Sequence, residues 1–415
     1  MSLANGRHYL AIPGPSVMPD SVLQAMHRPA PNIYTGELVE ITHGLVPDLK
    51  TIAGTAGHVA MYISNGHGLW EASLTNMVSR GDKVLVCVTG NFGHGWADVA
   101  KRLGLDVEIL DFGKQAPVDP ARLEAALRAD TKHEIKAVMS VHVDTATSVR
   151  NDIAALRRAI DAAGHPAVFA VDCIASLGCD RFEMDAWGVD VMIAASQKGL
   201  MTPPGMGFVW FSDKALAEGK DADLRTPYWD WTTRAKPVHL YEYFDGTPPT
   251  QHIYGLRQAV DMIMDEGLEN VWKRHETLAG AYWAAIDQWG SDGALRFNID
   301  TPAHRSHAVT TLSLGNGDGT RLREWLTDNL GITLGISLGF GEIGSDESHS
   351  YFRIGHMGHI NAHMVLGIVG AIETAMSALD IPHGLGGSVA ASSFLSQIGS
   401  QVSVTPSEAA CGCCG

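Results

Sequence analysis

The sequence predicts an α/β fold, with a large domain built on a mainly parallel sheet covered by helices and a smaller C-terminal α+β domain. Short β-branched runs alternate with helical stretches in the first half, a long helical stretch follows, and a second set of strands and helices comes after it. At 415 residues, of which 45% are hydrophobic, the chain is long enough to bury more than one core.

Five apolar runs predict the strands of the larger sheet, at residues 84–88, 137–143, 167–171, 189–194 and 207–211. Between the second and third runs, Asp152 can cap a helix that continues to Ala163, and Gly164 with Pro166 signals its end. This βαβ alternation predicts parallel strands with a ligand site at their carboxyl ends.

A long helical stretch over residues 254–289, interrupted near Gly267, is typical of a connector between domains. After it, the pattern predicts two strands, at residues 308–314 and 351–355, and two helices, at residues 321–330 and 362–379. We therefore expect four parts, which are an N-terminal arm (1–19), a large domain (20–268), a small C-terminal domain (269–383) and a flexible tail rich in Gly, Ser and Ala (384–415).

Charge and hydropathy argue against two classes of partner. The chain has 46 acidic and 30 basic side chains, and its net charge of −16 repels nucleic acid. The apolar run over residues 364–372 is stopped by Glu373 and is too short to span a bilayer. The first seven residues lack the pattern of a secretion signal. We expect a cytoplasmic protein that binds neither nucleic acid nor membrane.

The six cysteines have no disulfide-like spacing. Three of them, Cys87, Cys173 and Cys179, lie in or beside apolar segments. The other three, Cys411, Cys413 and Cys414, lie within the last five positions. The C-terminal thiols could bind a soft metal, but incidental thiols at a disordered end are the favoured interpretation.

The most informative residues are Asp172 and Lys198, each at the end of a predicted strand, so both side chains would reach the same rim of the sheet. A lysine amine forms a Schiff base with an aldehyde, and a carboxylate keeps a pyridine nitrogen protonated so that the ring accepts electrons. The pair therefore predicts a cofactor that carries both groups. Taken alone, Lys198 could equally be an ordinary surface lysine.

The segment Ser64-Asn65-Gly66-His67-Gly68-Leu69-Trp70-Glu71 places two glycines before a helical run that continues to Met77. Glycine lets backbone amides approach a ligand closely, and the start of a helix offers unpaired N–H groups. The segment predicts a phosphate-binding turn, although many turns of this kind bind nothing.

With these motifs in place, the chain resembles the class V, fold-type I aminotransferases, especially the alanine, serine and aspartate–glyoxylate aminotransferases. The resemblance spans most of the length and includes four further segments, which are Pro13-Gly14-Pro15-Ser16, His142-Val143-Asp144-Thr145-Ala146-Thr147, Thr247-Pro248-Pro249-Thr250 and Phe352-Arg353-Ile354-Gly355-His356-Met357-Gly358. It implies pyridoxal 5′-phosphate (PLP) bound to the large domain. It also implies ping-pong transfer of an amino group from serine, alanine or aspartate to glyoxylate or pyruvate.

The resemblance further implies how the cofactor phosphate is held. Four residues of this chain would contact it, namely Asn65, Gly66, His67 and Gln197. Thr247 would reach in from a partner subunit, so the site would require a homodimer. The segment Phe244-Asp245-Gly246, just before Thr247, departs from the family pattern and leaves the partner's contacts open.

Around the ring, the resemblance implies that Phe92 stacks on one face, Ile174 packs on the other and Thr145 lies beside the polar edge. Asp172 and Lys198 would be the catalytic pair. A flat ring held between two such faces keeps its orientation, which decides the bond that is weakened. Simple core packing is the alternative role for Phe92.

We assign Arg353 to the substrate, together with Ser16 of the N-terminal motif. A planar guanidinium matches an α-carboxylate with two parallel charge-assisted hydrogen bonds. Because Arg353 lies in a predicted strand of the small domain, substrate binding would draw the two domains together. A structural ion pair is the alternative role, and the polar segment over residues 341–350 could reshape the substrate mouth.

None of the 19 histidines has a strong metal spacing. His142 with Asp144, and His356 with His359, are the candidate pairs, but Gly358 interrupts the second. We therefore expect no metal.

Two other functions stay open. One is a different PLP reaction, such as that of a lyase or a desulfurase, and sulfur transfer would need an exposed cysteine that only the C-terminal tail offers. The other is a non-catalytic protein that kept the fold and binds the cofactor. The presence of both Lys198 and Arg353 argues against it.

Overall fold

The computed structural model describes residues 3–399, which form two sheets and the helices around them. The strands are β1 (Tyr9–Ala11), β2 (His58–Ser64), β3 (Lys83–Val88), β4 (Asp106–Asp111), β5 (Ile135–Val141), β6 (Val168–Asp172), β7 (Val191–Ala195), β8 (Gly205–Phe211), β9 (Arg296–Phe297), β10 (Val309–Ser313), β11 (Ile332–Ile336) and β12 (Tyr351–Gly355). The helices are α1 (Asp20–Met26), α2 (Glu37–Ala53), α3 (Gly66–Met77), α4 (Asn91–Arg102), α5 (Pro120–Ala129), α6 (Ile153–Ala162), α7 (Asp213–Glu218), α8 (Trp231–Ala235), α9 (Thr250–Glu266), α10 (Leu268–Gly290), α11 (Asp318–Leu330), α12 (Asp346–Ser350), α13 (Ala362–Ala378) and α14 (Gly387–Gly399).

The larger sheet has seven strands in the order β2-β8-β7-β6-β5-β3-β4. Every pairing among β3 to β7 is parallel, and β8 runs antiparallel to both of its neighbours. The expected mainly parallel sheet is confirmed. The five predicted strands are present as β3, β5, β6, β7 and β8, with ends shifted by at most about two residues, which is the usual uncertainty of such boundaries.

Both faces of this sheet are covered, which explains why its central strands are continuous apolar runs. Along β5, Ile135 and Val138 pack into one hydrophobic cluster, whereas Ala137 and Met139 pack into another on the opposite face. All residues of β6 and β7 are buried. The carboxyl ends of these strands are therefore the part of the sheet where polar side chains can meet a ligand.

The predicted helix signals are also confirmed. The Asp152 side chain accepts a hydrogen bond from the Ala155 backbone N–H (2.9 Å) and caps α6. Gly267, with φ of +81°, ends α9 and starts the long helix α10. A φ in this range favours glycine, so the break falls where the sequence predicts it.

The smaller sheet has the order β1-β11-β12-β10-β9. The strands and helices predicted in the second half are β10, α11, β12 and α13. The first strand of the chain, β1, pairs in parallel with β11, so the N-terminal segment contributes to the small sheet before it crosses to the large one. The division into four parts at residues 19, 268 and 383 stays a prediction.

The prediction of a flexible tail from residue 384 is wrong for residues 387–399, which form α14. The Glu373 carboxylate fixes its start by accepting the backbone N–H groups of Gly386, Gly387 and Ser388 (2.9, 2.9 and 3.1 Å). Phe394 packs against Gly280 of α10, where a Cβ would lie 2.4 Å from the ring. Small residues allowed this close helix packing, so a composition rich in Gly, Ser and Ala misled the prediction. Residues 400–415, including the three C-terminal cysteines, lie outside the described residues.

No helix within residues 3–399 is long and apolar enough to cross a membrane.

Candidate active site

A cavity of about 310 Å³ lies at the carboxyl ends of β5, β6 and β7, beside the first turns of α3 and α4. Its wall includes nine of the predicted site residues, namely Asn65, Gly66, His67, Phe92, Thr145, Asp172, Ile174, Gln197 and Lys198. Asp172 is the last residue of β6, and Lys198 follows β7 by three residues. Adjacent parallel strands therefore deliver the acid and the amine to one cavity, as the sequence predicts.

The Lys198 side chain lines the cavity, is partly buried and makes no ion pair within residues 3–399. Its pKa is lowered from 10.5 to about 8, mainly by burial and also by the nearby Arg353 charge, while the Asp172 charge opposes the shift. Its Nζ donates a hydrogen bond to the Pro13 carbonyl. The free amine, which a nucleophile requires, is therefore the minor form of Lys198 at neutral pH but is far more abundant than for an ordinary lysine.

Asp172 is 3% exposed, and hydrogen bonds hold both of its carboxylate oxygens. Oδ2 accepts the Trp70 indole N–H (2.7 Å), and Oδ1 accepts the Ile174 backbone N–H (2.8 Å). Burial raises the pKa of Asp172 to about 6, while these two hydrogen bonds oppose the shift. Asp172 is thus mainly ionised at neutral pH and can partner a protonated ring nitrogen.

The first turn of α3 forms one end of the cavity. The Asn65 side chain caps this helix by accepting the backbone N–H groups of His67 (3.1 Å) and Gly68 (3.4 Å). At Gly66, a Cβ would lie 2.5 Å from Ile174 Cδ1, so a larger residue there would displace the Ile174 side chain. Asn65 therefore fixes the shape of this turn. It would favour a bound anion indirectly, because it holds the start of the helix in place.

Gln197 gives independent evidence of a polar ligand. Its Oε1 is buried and has no hydrogen-bond partner among the described residues, although the side chain lines the cavity. A buried amide oxygen without a partner costs free energy of about 1–3 kcal/mol. Because amide oxygen and nitrogen can exchange places by rotation, the Gln197 amide can donate to a bound phosphate.

Aromatic side chains form another wall. The His67 and Phe92 rings pack against Trp70 in edge-on geometry, with centroid distances of 4.6 and 6.3 Å. The Phe92 backbone N–H donates to Oδ2 of Asp144 (2.9 Å), a fully buried carboxylate whose pKa burial raises. Asp144 thereby fixes the turn that presents Phe92 to the cavity.

Three predicted residues do not line this cavity. Arg353 is buried beside it, where Nε donates to the Ile336 carbonyl (2.8 Å) and Nη1 to the Thr145 carbonyl (2.9 Å). Ser16 Oγ donates to the Lys198 carbonyl (2.7 Å). Thr247 is exposed. Thr145, which does line the cavity, connects Arg353 to the wall.

The alternative of a structural ion pair for Arg353 receives no support, since Arg353 makes no ion pair within residues 3–399. Burial lowers its pKa to about 10, while the Asp144 charge opposes the shift, so the guanidinium stays protonated at neutral pH. A buried cation with free N–H groups is suited to an incoming carboxylate.

Sequence reasoning missed Trp70, Asp144 and Pro13 as parts of the site. Trp70 is in the predicted phosphate segment and Asp144 was weighed only as a metal ligand. Their contacts with Asp172 and Phe92 span 102 and 52 residues, so no local pattern could reveal them.

The candidate metal pairs have other partners. His142 Nδ1 lies 2.9 Å from Ser176 Oγ, and the two ring nitrogens of His356 lie 2.9 Å from Thr310 Oγ1 and the His307 carbonyl. Across the described part of the chain, no three His, Cys, Asp or Glu side chains are arranged to hold a metal ion.

The cavity suits the cofactor that the resemblance implies. It offers an amine for an aldehyde, a carboxylate for a pyridine nitrogen and an aromatic wall for a flat ring. For a phosphate it offers the start of a helix and the Gln197 side chain, whose Oε1 has no partner among the described residues. Glycine at position 66 lets the Ile174 side chain pack against the first turn of α3, where a Cβ would lie 2.5 Å from Cδ1.

Comparison with known proteins gives a consistent family. The Aminotransferase class-V model matches residues 66–356. The serine–glyoxylate aminotransferase of Methylorubrum extorquens is 39% identical over 401 residues, which cover 94% of this chain and 96% of that protein. The L-aspartate–glyoxylate aminotransferase of Paracoccus denitrificans is 36% identical over 386 residues, covering 92% and 94%.

A solved structure with the same architecture is the pyridoxamine-pyruvate aminotransferase from Mesorhizobium loti. It superposes with a TM-score of 0.84 at 23% identity, covering 94% of this chain and 97% of its own. At this identity, the likeness establishes the fold.

The Trp70→Phe substitution tests the hydrogen bond to Asp172. It removes the indole N–H from a buried carboxylate, and we expect the free energy of unfolding to fall by about 1.5–3 kcal/mol at pH 8, measured by urea denaturation. Trp283→Phe is the matched control, because Trp283 Nε1 donates to the neutral Thr310 hydroxyl (3.1 Å), and it should cost about 0.5–1.5 kcal/mol.

The cost of Trp70→Phe should also depend on pH. Losing a donor to the charged form raises the pKa of Asp172 beyond about 6, and a raised carboxyl pKa makes folding less favourable as pH rises through it. The cost should therefore be smaller at pH 5 than at pH 8. An equal cost at both values, or one matching Trp283→Phe, contradicts this role of Trp70.

Proposed function

The chain belongs to the class-V aminotransferase family, and we propose that it uses PLP bound to Lys198 to transfer the amino group of serine, alanine or aspartate to glyoxylate or pyruvate. The observation that carries the proposal is the meeting of the Lys198 amine and the Asp172 carboxylate in one cavity. The relatives named as serine– and aspartate–glyoxylate aminotransferases support the choice of substrates, since they align along nearly the whole chain.

Lys198 and Asp172 would carry the chemistry. PLP, when bound, supplies an aldehyde that condenses with amines and a pyridine ring that takes up the electron pair of the broken α C–H bond. Asp172 keeps the ring nitrogen protonated, because its charge is held in place by Trp70 and the Ile174 N–H. Lys198, displaced by the amino donor, takes the α-proton on Nζ and later returns a proton.

Other cavity residues would hold the cofactor in place. The phosphate would bind at the start of α3, near Asn65, Gly66 and His67, where the positive end of the helix dipole favours an anion and the Gln197 amide can donate to it. Phe92 and Ile174 would pack against the ring, with Thr145 at its edge. Because Asp144 fixes the turn of Phe92, the ring would keep one orientation relative to Lys198.

Arg353 would bind the α-carboxylate of the substrate. Its Nε and one N–H of Nη1 are used by backbone carbonyls, which leaves the second N–H of Nη1 and both N–H groups of Nη2 for a carboxylate. Ser16 would act on Lys198 rather than on the substrate, since its hydroxyl donates to the Lys198 carbonyl.

The active unit would be a homodimer. Thr247 is exposed and does not line the cavity of its own chain, which suits a residue that reaches the phosphate of the partner subunit. The Arg234 guanidinium holds the chain just before Thr247 in place by donating to the Tyr243 carbonyl (2.9 Å). A cytoplasmic location stays a prediction.

The alternative functions receive less support. Sulfur transfer needs an exposed thiol, whereas Cys87, Cys173 and Cys179 are buried, and burial raises their pKa values. A non-catalytic role would leave the depressed pKa of Lys198 without a use.

A panel of half-reactions tests the proposed function. Serine, alanine and aspartate, added singly to the PLP-loaded protein, should convert the bound cofactor to its amino form, and glyoxylate or pyruvate should reverse the change, as followed by absorbance. Lys198→Ala should retain PLP without a covalent link and should lose at least about 1000-fold in rate. A donor that releases ammonia or sulfide without aminating the cofactor would point to a lyase or desulfurase instead.

Arg353→Ala should weaken substrate binding and leave cofactor binding intact. Loss of the charge-assisted contacts, about 2–3 kcal/mol, should raise the KM for the amino donor about 30- to 150-fold. Arg305→Ala is the matched control, because Arg305 is also 7% exposed and donates to the backbone carbonyls of Ile299 and Asp300. It should lower stability without a comparable change in KM, and an equal KM effect for both variants would refute the assignment.

Mixed dimers test which of the two subunits supplies Thr247 to each active site. Lys198→Ala lacks the amine, and Thr247→Glu places a negative charge against the partner's phosphate, so each homodimer should have little activity. A heterodimer of the two variants contains one site with native Lys198 and native Thr247. Co-refolded mixtures should regain about a quarter of wild-type activity. No recovery in verified heterodimers would mean that Thr247 serves its own chain.

A further inference from the structure

Residues 12–16, here called the strap, connect the small sheet to the catalytic lysine. They follow β1, which pairs in parallel with β11. The strap then crosses to the large domain, where Gly14 and Pro15 line the cavity. It is therefore a direct covalent path from the sheet that carries Arg353 to the cavity that contains Lys198.

At its first end, the strap lies on the strands around Arg353. A Cβ on Gly335 would lie 2.6 Å from Pro13 Cδ, and a Cβ on Gly355 would lie 2.2 Å from the Ile12 carbonyl oxygen. Gly335 is also the register partner of Arg353. Only glycine at these two positions allows the strap to pack directly on β11 and β12, so the strap and Arg353 are held together.

At its other end, the strap holds Lys198 on both backbone and side chain. Ser16 Oγ donates to the Lys198 carbonyl (2.7 Å), and the Ser16 backbone N–H donates to the Gln197 carbonyl (2.9 Å). The Pro13 carbonyl accepts from Lys198 Nζ. Gly14 packs so closely that a Cβ would lie 2.5 Å from Nζ and 2.6 Å from Cε.

We infer that the Pro13 carbonyl positions the Lys198 amine whenever that amine is not linked to the cofactor, and that the strap thereby ties the position of the proton-transferring amine to the strand that carries Arg353. This inference rests on the proposed function and adds a positioning group to it.

The chemistry of a buried amine gives the physical reason. Within residues 3–399, the Pro13 carbonyl is the hydrogen-bond acceptor of Nζ, which makes no ion pair. A neutral amine that donates one N–H to this carbonyl keeps its lone pair free to take a proton. Once protonated, the ammonium donates a stronger, charge-assisted bond to the same carbonyl. The amine can therefore accept and return a proton without leaving its place.

A coupling to substrate binding follows from the two ends of the strap. A carboxylate on Arg353 would draw β12 and β11 with it, and the strap packs on both strands. The carbonyl that holds Nζ would move with them. Substrate binding would thus fix the position of the α-carbon relative to the amine that accepts its proton. Small misplacements of such groups cost about 100-fold in rate.

Gly14→Ala tests the inference in the PLP-loaded enzyme. The added methyl group occupies the place of Nζ, so the amine must leave the Pro13 carbonyl, while the flexible lysine can still reach an aldehyde. We expect kcat to fall by about 10- to 100-fold, KM for the amino donor to change less than about threefold, and the isotope effect with α-deuterated donor to rise because proton transfer becomes limiting.

Gly386→Ala is the matched control. Gly386 has a similar φ (+91° against +105° for Gly14) and nothing within 4 Å of a Cβ. Alanine at this position therefore has the same unfavourable backbone conformation without a steric clash. A second variant, Ser16→Ala, removes the hydroxyl that holds the Lys198 carbonyl and adds no atom. It should shift kcat and the isotope effect in the same direction as Gly14→Ala, by a smaller factor.

The outcomes distinguish a failure of the proposed function from a failure of this inference alone. Wild-type enzyme that transfers no amino group rejects the proposed function and the inference with it. Active wild-type enzyme with Gly14→Ala matching Gly386→Ala in kcat and isotope effect rejects the inference alone. Loss of PLP from Gly14→Ala, instead of slower proton transfer, also overturns it, because the strap would then hold the cofactor and not the amine.

Discussion

The site depends on the burial of two opposite charges in one small cavity. Burial lowers the pKa of Lys198 to about 8 and raises that of Asp172 to about 6, so both groups titrate close to neutral pH. Unsupported charges of this kind are costly. Trp70 and the Ile174 N–H hold the acid, and the Pro13 carbonyl holds the amine. These contacts make the pair usable for catalysis.

The α/β fold explains why the pair meets where it does. β6 and β7 are neighbours, parallel and buried on both faces, so polar side chains can be placed only beyond their carboxyl ends. The first turns of α3 and α4 lie at the same rim and add a helix start and an aromatic wall. The proposed phosphate and ring positions are therefore consequences of one sheet edge.

Local patterns predicted the central strands and the pair Asp172 and Lys198, because burial on both faces leaves continuous apolar runs with polar residues only at their ends. The half-exposed edge strand β4 lacks that signal, and so it was missed. β1 was missed because its partner, β11, lies more than 300 residues away. Contacts such as Trp70 to Asp172 depend on the assembled fold, and α14 depends on close packing by glycine and alanine.

The two sheets are connected in two ways. Arg353 donates directly to the Thr145 carbonyl in the cavity wall, and the strap runs from beside Arg353 to Lys198. In the proposed reaction, a shift of the small sheet would therefore move the Arg353 guanidinium, the cavity wall and the carbonyl that accepts from the Lys198 amine together. Lys198 and Asp172 would supply the reacting groups, and the small sheet would set the distance between a substrate carboxylate on Arg353 and the Lys198 amine.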